Sequence, residues 1–150
     1  MADAAKVLIV EDEQAYAQTL KLKLASSGFE VLHALNGEDG LKDALESHPT
    51  LILTDIMMPK MNGMEMVGEL RKDGWGQTAL IVVLSNTEIS KLEAEAAGCL
   101  YLIKSDKSLD DIVQLVQEIV EISTYMTTQT QGSFTPQQVF AKVKERLGIA

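Results

Sequence analysis

Apolar residues recur in short runs at 7–10, 29–32, 51–54, 80–84 and 100–103, each bounded by polar or turn-forming residues. Runs this short read as buried strands. The segments between them carry helical spacing: Leu20 and Leu24 in 14–26, Leu41 and Leu45 in 37–46, and Met64, Val67 and Leu70 in 64–71. A weaker Ala- and Glu-rich helix is expected at 89–97, and a strong one at 109–122, with Ile112, Leu115, Val116, Ile119 and Val120 on one face. Strands that are apolar throughout and alternate with helices predict five βα units, a parallel sheet covered on both faces. In such sheets ligands bind outside the carboxyl ends of the strands.

The residues that follow the strands are therefore the place to look for chemistry. Glu11 and Asp12 follow the first, Asp55 the third, Ser85 the fourth and Lys104 the fifth. Each has a plain reading by itself. Asp12 can cap the next helix, Ser85 or Thr87 can cap the one after it, and Lys104 can be a solvated loop charge. Together they bring three carboxylates, a hydroxyl and an ammonium to one rim. Carboxylates about 4 Å apart repel by about 4 kcal/mol per pair at an effective dielectric near 20. A hard divalent cation relieves this, and Mg²⁺ suits a site with few carboxylates and room for water and a phosphoryl oxygen. Offset by the metal and Lys104, the Asp55 carboxylate can act as a nucleophile on phosphorus, with Ser85 and Lys104 meeting the new phosphoryl oxygens.

Composition narrows the partners. With 22 acidic against 13 basic residues the 150-residue chain carries a net charge of −9, which argues against nucleic acid or anionic lipid as a ligand. The single cysteine, Cys99, permits no internal disulfide and reads as a small core residue. No apolar run approaches the ~20 residues that span a bilayer, and the first run is cut short by acids. The expectation is a soluble cytoplasmic protein with no membrane contact. His33 and His48 lack ligand spacing, Trp75 reads as a loop residue covering the other rim, and the methionines around Asp55 read as packing.

The segments VLIVEDE, LTDIMMPKMNG, VVLSN and YLIK resemble the receiver domain of two-component response regulators, over roughly residues 5–122. The resemblance implies a flavodoxin-like, doubly wound α/β fold and Mg²⁺-dependent phosphoryl transfer to Asp55 from the phosphohistidine of a histidine kinase or phosphotransfer protein. It implies that Asp12, Asp55 and the backbone carbonyl of Met57 bind the metal directly and that Glu11 acts through water. Tyr101 matches the aromatic switch position that responds to Ser85; its alternative reading is a half-buried aromatic on the last strand. Two positions depart from the family pattern. Asn86 stands where Ala or Gly is usual. Ser105 stands where a Pro usually follows the lysine and supports a cis peptide, so either Lys104–Ser105 is trans with the lysine aimed differently, or the site holds a costly geometry.

Beyond the receiver, residues 123–134 are Thr- and Gln-rich and read as a polar linker. An amphipathic helix is expected at 135–148: Thr135 as N-cap, Pro136 at N1, Gln138 closing a capping box, Phe134 stapled to Val139, and Gly148 as the stop. Its apolar face, Val139, Phe140, Val143 and Leu147, suits docking on its own receiver first, and on a second copy or a partner otherwise. No DNA-binding output domain and no direct nucleic-acid contact are expected. An aspartate-nucleophile phosphohydrolase would need an acid where Met57 stands, and a flavin module would need a phosphate-cradling loop where EDEQ stands. The reading is a non-enzymatic phosphoacceptor switch acting on a downstream protein. A scaffold that signals without phosphate is the alternative, and homodimerisation stays open.

Overall fold

A computed structural model describes residues 4–149. Five parallel strands form one sheet in the order β2-β1-β3-β4-β5: β1 Lys6–Val10, β2 Glu30–Ala34, β3 Leu51–Thr54, β4 Ile81–Ser85 and β5 Leu100–Ile103. This is the flavodoxin-like order, in which the chain reverses direction across the sheet at β1 and β3. The connecting helices are α1 Gln14–Ser26, α2 Gly37–Ser47, α3 Gly63–Lys72, α4 Lys91–Ala96 and α5 Leu109–Thr130; α6 Pro136–Leu147 follows. The expected parallel (βα)5 sheet with an extra C-terminal helix is observed.

The strands are apolar throughout because each buries both faces. Val7, Ile9, Leu51, Leu53, Val82 and Leu100 face the core under α1, α5 and α6, whereas Leu8, Val10, Ile52, Ile81 and Val83 face α2, α3 and α4. Cys99 lies in the second core, where burial pushes its thiol up to about 11, the behaviour of a packing residue. At the rim opposite the strand ends, Trp75 stacks on His48 with ring centroids 4.5 Å apart, the cover expected of it. Among the described residues, no helix is long and apolar enough to cross a membrane.

Several boundaries shift from the expectation by a single residue, as β4 does, and three shift by more. Strand β2 covers 30–34 rather than 29–32, because pairing with β1 runs from Lys6↔Glu30 to Val10↔Ala34, past the point where the apolar pattern stops. Helix α4 is shorter than 89–97, leaving Ile89 in the preceding loop. The proposed linker 123–134 is corrected most: Ser123–Thr130 continue α5 for two more turns. Their composition looks like a loop, yet Thr127, Thr128 and Thr130 each donate to the carbonyl four residues back, at 2.7, 3.1 and 2.7 Å, so the hydroxyls are satisfied within the helix. Ser123 is buried and Met126 packs on the core. The helix stops where Gln131 and Gly132 take left-handed φ of 57° and 82°.

Helix α6 begins as expected. Thr135 accepts from the Gln138 amide at 3.2 Å and Gln138 reaches back to the Thr135 amide at 2.7 Å, a complete capping box, with Gly148 (φ 67°) at the stop. Val139, Phe140 and Val143 are buried in the α1/α5 core. The helix docks on its own receiver, beside α5 and toward edge strand β5.

Candidate functional site

Strands β1 and β3 are neighbours in register, Val10 beside Thr54, so the chain delivers Glu11–Asp12 and Asp55 to one point by backbone geometry alone. Asp55 is fixed there from both sides. Its amide donates to Val10 O at 3.0 Å, and its Oδ1 accepts from the Ile56 amide at 2.7 Å. The loop after Asp55 folds back tightly onto the start of α3: Gly63 N donates to Ile56 O at 2.9 Å, and a Cβ on Gly63 would lie 2.0 Å from the Asp55 carbonyl oxygen. A residue larger than glycine at position 63 would displace Asp55.

Carboxylate oxygens of Glu11, Asp12 and Asp55 all lie within 4.8 Å of one another. Asp12 is exposed; Asp55 is one-fifth exposed and reachable; the Glu11 side chain is almost wholly buried. Lys104 bonds Glu11 and stands 3.6 Å from Asp55 Oδ2, with its own side chain only 10% exposed. Burial raises the Glu11 pKa above its ordinary value, and the Asp55 charge adds to this despite the lysine bond. For Lys104, burial acts downward but is outweighed by the bond to Glu11 and the charges of Asp55 and Glu11, so its pKa is also raised. Both groups hold their protons more tightly than isolated ones would, the acid because burial penalises its charge and the base because acids face it. The three candidate donors are all carboxylate oxygens. A hard cation fits this set.

The plain alternatives for these residues fail. The N-cap of α1 is Glu13 and that of α4 is Ser90, so Asp12, Ser85 and Thr87 cap neither helix. Lys104 is not a solvated loop charge. The Lys104–Ser105 peptide is trans, as every described peptide is, and the lysine still reaches the acids from the 3₁₀ turn Lys104–Asp106. Ser85 is buried at the end of β4 and accepts from the Thr87 amide at 3.3 Å, which leaves its hydroxyl proton free to donate. Tyr101 is buried, 7% exposed, and its hydroxyl donates to the Thr87 carbonyl. Ser85 and Tyr101 thus grip the same residue of the β4–α4 loop. Asn86 is exposed, and the Met57 side chain, 79% exposed, stands clear of the carboxylates.

Three contributors were not legible from the sequence. His33 Nε2 bonds the Glu11 carbonyl at 2.8 Å and fixes the acidic pair from β2. Thr54 Oγ1 donates to the Asp55 carbonyl at 2.8 Å. Tyr16, in the first turn of α1, lies under Lys104 with Nζ 4.1 Å from its ring centroid. His33 and Tyr16 act across separate elements, and Thr54 acts on the carbonyl of the next residue, contacts that no apolar or charge pattern announces.

Among solved structures, chemotaxis response regulator CheY4 of Vibrio cholerae superposes with a TM-score of 0.70 at 28% identity, over 76% of this chain and 97% of that one. The phosphorylated cyanobacterial phytochrome response regulator RcpA superposes with 0.65 at 28%, over 79% and 93%. The probable transcriptional regulator ycf27 of Cyanophora paradoxa is 33% identical over 85% of this chain and 54% of its own length. PhoP of Bacillus subtilis, a transcriptional regulatory protein of alkaline phosphatase synthesis, is 34% identical over 58% and 36%. The chain spans about half the length of the curated relatives it matches, or less. The response regulator receiver domain family matches residues 7–117, the stretch that builds the sheet and delivers every acid and base of the rim, and the chain belongs to that family.

Proposed function

We propose that this protein accepts a phosphoryl group on Asp55 from the phosphohistidine of a histidine kinase or phosphotransfer protein and thereby switches a protein-binding surface. The observation that carries this is the rim itself: a reachable carboxylate beside two further acids, with a buried ammonium 3.6 Å away. A carboxylate oxygen of Asp55 attacks phosphorus. The O–P bond forms as the N–P bond of the phosphohistidine breaks, and the departing imidazole nitrogen keeps the electron pair and takes up a proton. Lys104 is placed to meet one phosphoryl oxygen, and Ser85 to donate its free proton to another. Asp12, Asp55 and the Met57 carbonyl would hold Mg²⁺, with Glu11 acting through water, and the ion would neutralise charge on the transferring group.

When Ser85 turns toward the phosphoryl group it gives up the Thr87 amide, and Tyr101, bound to the Thr87 carbonyl, feels the change. The surface that changes is then the β4–α4 loop, α4 and β5, a shift between two pre-existing arrangements. The likeness to RcpA, solved as a phosphorylated protein, supports this reading. The chain then acts in the cytoplasm as a phosphoacceptor, without turnover of free substrates, on a downstream protein. The test is intact mass after incubation with phosphoramidate, with and without Mg²⁺, on wild type and Asp55→Asn. One added phosphoryl group that needs both metal and Asp55 is expected. A folded, Mg²⁺-binding protein that forms no adduct with phosphoramidate or with a histidine kinase would favour a scaffold that signals without phosphate.

A further inference from the structure

Lysine is a poor choice for an aimed cation, because its four-carbon stem must lose rotamer freedom to hold one position. The family's usual restraint, a proline after the lysine, is absent; Ser105 follows Lys104 through a trans peptide. The lysine is nonetheless held. Its Nζ bonds Glu11, at the end of β1, stands 3.6 Å from Asp55 Oδ2, past the end of β3, and lies 4.1 Å over the ring of Tyr16, in α1. Two of these three are acids, and they alone would let the ammonium swing in their common plane. The ring closes the third side. An aromatic face within about 6 Å attracts a cation, the more so as water is removed, and the Lys104 side chain is only 10% exposed.

Tyr16 has no other polar reason to be tyrosine. Its hydroxyl is buried without a hydrogen-bond partner among the described residues, a cost that no contact of the hydroxyl offsets. Its ring packs against the α1/α5 core, so it is a fixed plate rather than a mobile cover.

We propose that Tyr16 is a positioning residue for phosphoryl transfer: its ring face fixes the Lys104 ammonium beside Asp55, supplying from α1 the restraint that Ser105 does not give from the chain. This rests on the proposed phosphorylation of Asp55. The ring, and not the hydroxyl, does the positioning, so phenylalanine should replace tyrosine and an aliphatic residue should not.

The experiment compares Tyr16→Phe, Tyr16→Leu and Tyr16→Met with wild type, each shown to be folded by a cooperative thermal melt. The first readout is the NMR shift of the Lys104 ε-methylene protons in unphosphorylated, metal-free protein, which a ring 4.1 Å away moves upfield. The second is the initial rate of adduct formation with phosphoramidate and Mg²⁺. The expectation is an upfield shift and a rate within about twofold of wild type for Tyr16→Phe. For the aliphatic variants the shift should be lost and the rate should fall about tenfold, the size of a desolvated cation–π contact. Aliphatic variants with the wild-type rate would overturn the proposal and reduce Tyr16 to a space-filling residue. A Tyr16→Phe rate as low as that of Tyr16→Leu would overturn it in favour of the hydroxyl. If wild type forms no adduct with phosphoramidate or with a histidine kinase, the proposed function fails and the positioning role with it, while a retained upfield shift would show that the contact itself is real.

Discussion

Two regions of this molecule pair acids with bases, and they differ in balance. At the rim, three carboxylates share one ammonium, and the Glu11–Lys104 pair is almost wholly buried. On α6, Lys144 meets Glu95 at 3.7 Å, and Arg146 meets Glu118 at 3.0 Å and Glu121 at 3.3 Å, all partly or largely exposed to water. The α6 pairs frame an apolar stripe whose Val139, Phe140 and Val143 are buried, and little is asked of them. The rim has no apolar stripe to justify it and holds an excess of negative charge that a fold would not select for stability. An excess of acids gathered around one buried ion pair marks a candidate place for a ligand, whereas balanced exposed charge marks an attachment.

The largest effect that could break this comparison comes from Lys104→Met. If the ammonium serves transfer, the rate of adduct formation falls by about 10²–10³-fold, the usual cost of removing one donor to a developing charge. The fold also loses about 3 kcal/mol in metal-free buffer, because Glu11 is left buried without its partner. Rate is read by intact mass and stability by urea unfolding. A variant that loses stability but not rate would reclassify the rim as structural. Next in size is Phe140→Ala on α6, 3% exposed in the core, expected to cost about 3–5 kcal/mol in the same unfolding assay. Its rate of adduct formation should be no lower than that of wild type.

The sequence made the rim legible and α6 only partly so, for a physical reason. The rim is set by strand ends, and short apolar runs closed by acids, a serine and a lysine reveal both the strands and their order of chemistry. Capping residues at Thr135, Gln138 and Gly148 likewise speak locally. What could not be read depends on contacts between distant elements. The β1–β2 register carries the strand through His33 and Ala34, and back-bonded threonines keep 123–130 helical against their composition. Tyr16 and His33 touch the site only because α1 and β2 fold over it. Of the two open readings of the Lys104–Ser105 peptide the trans one is observed, yet the lysine is not aimed away from the acids as that reading supposed.

A smaller effect sharpens the contrast by titration. Because the folded Glu11 pKa lies above the ordinary 4.5, the folded state holds this proton more tightly than the unfolded one. Stability from this group is therefore greatest at low pH and falls as pH rises through the raised value. Lys104 has the same sign in a higher window: its contribution is present below the ordinary 10.5 and is lost only as pH climbs through its higher folded value. In metal-free melts between pH 4 and 8, Glu11→Gln should remove part of the decline seen in wild type. Mg²⁺ at a hundred times its dissociation constant should add about 2.7 kcal/mol to wild type at neutral pH. It should add much less to Asp12→Asn. A wild type insensitive to Mg²⁺ would mean that the excess charge is met by something other than a cation.

The smallest expected effect is Lys144→Ala. Its partner Glu95 is 3.7 Å away, and the two side chains are 32% and 37% exposed, so the pair works against screening water and two long flexible stems. Removing it should cost no more than about 0.5 kcal/mol in urea unfolding. The value of so small a change is its contrast with Phe140→Ala one turn earlier. If Lys144→Ala is nearly silent and Phe140→Ala is severe, α6 is held by its apolar stripe, and its charges only choose its orientation. If the two were alike, the pair to α4 would be an anchor, and the difference between the two regions would be one of burial rather than of purpose.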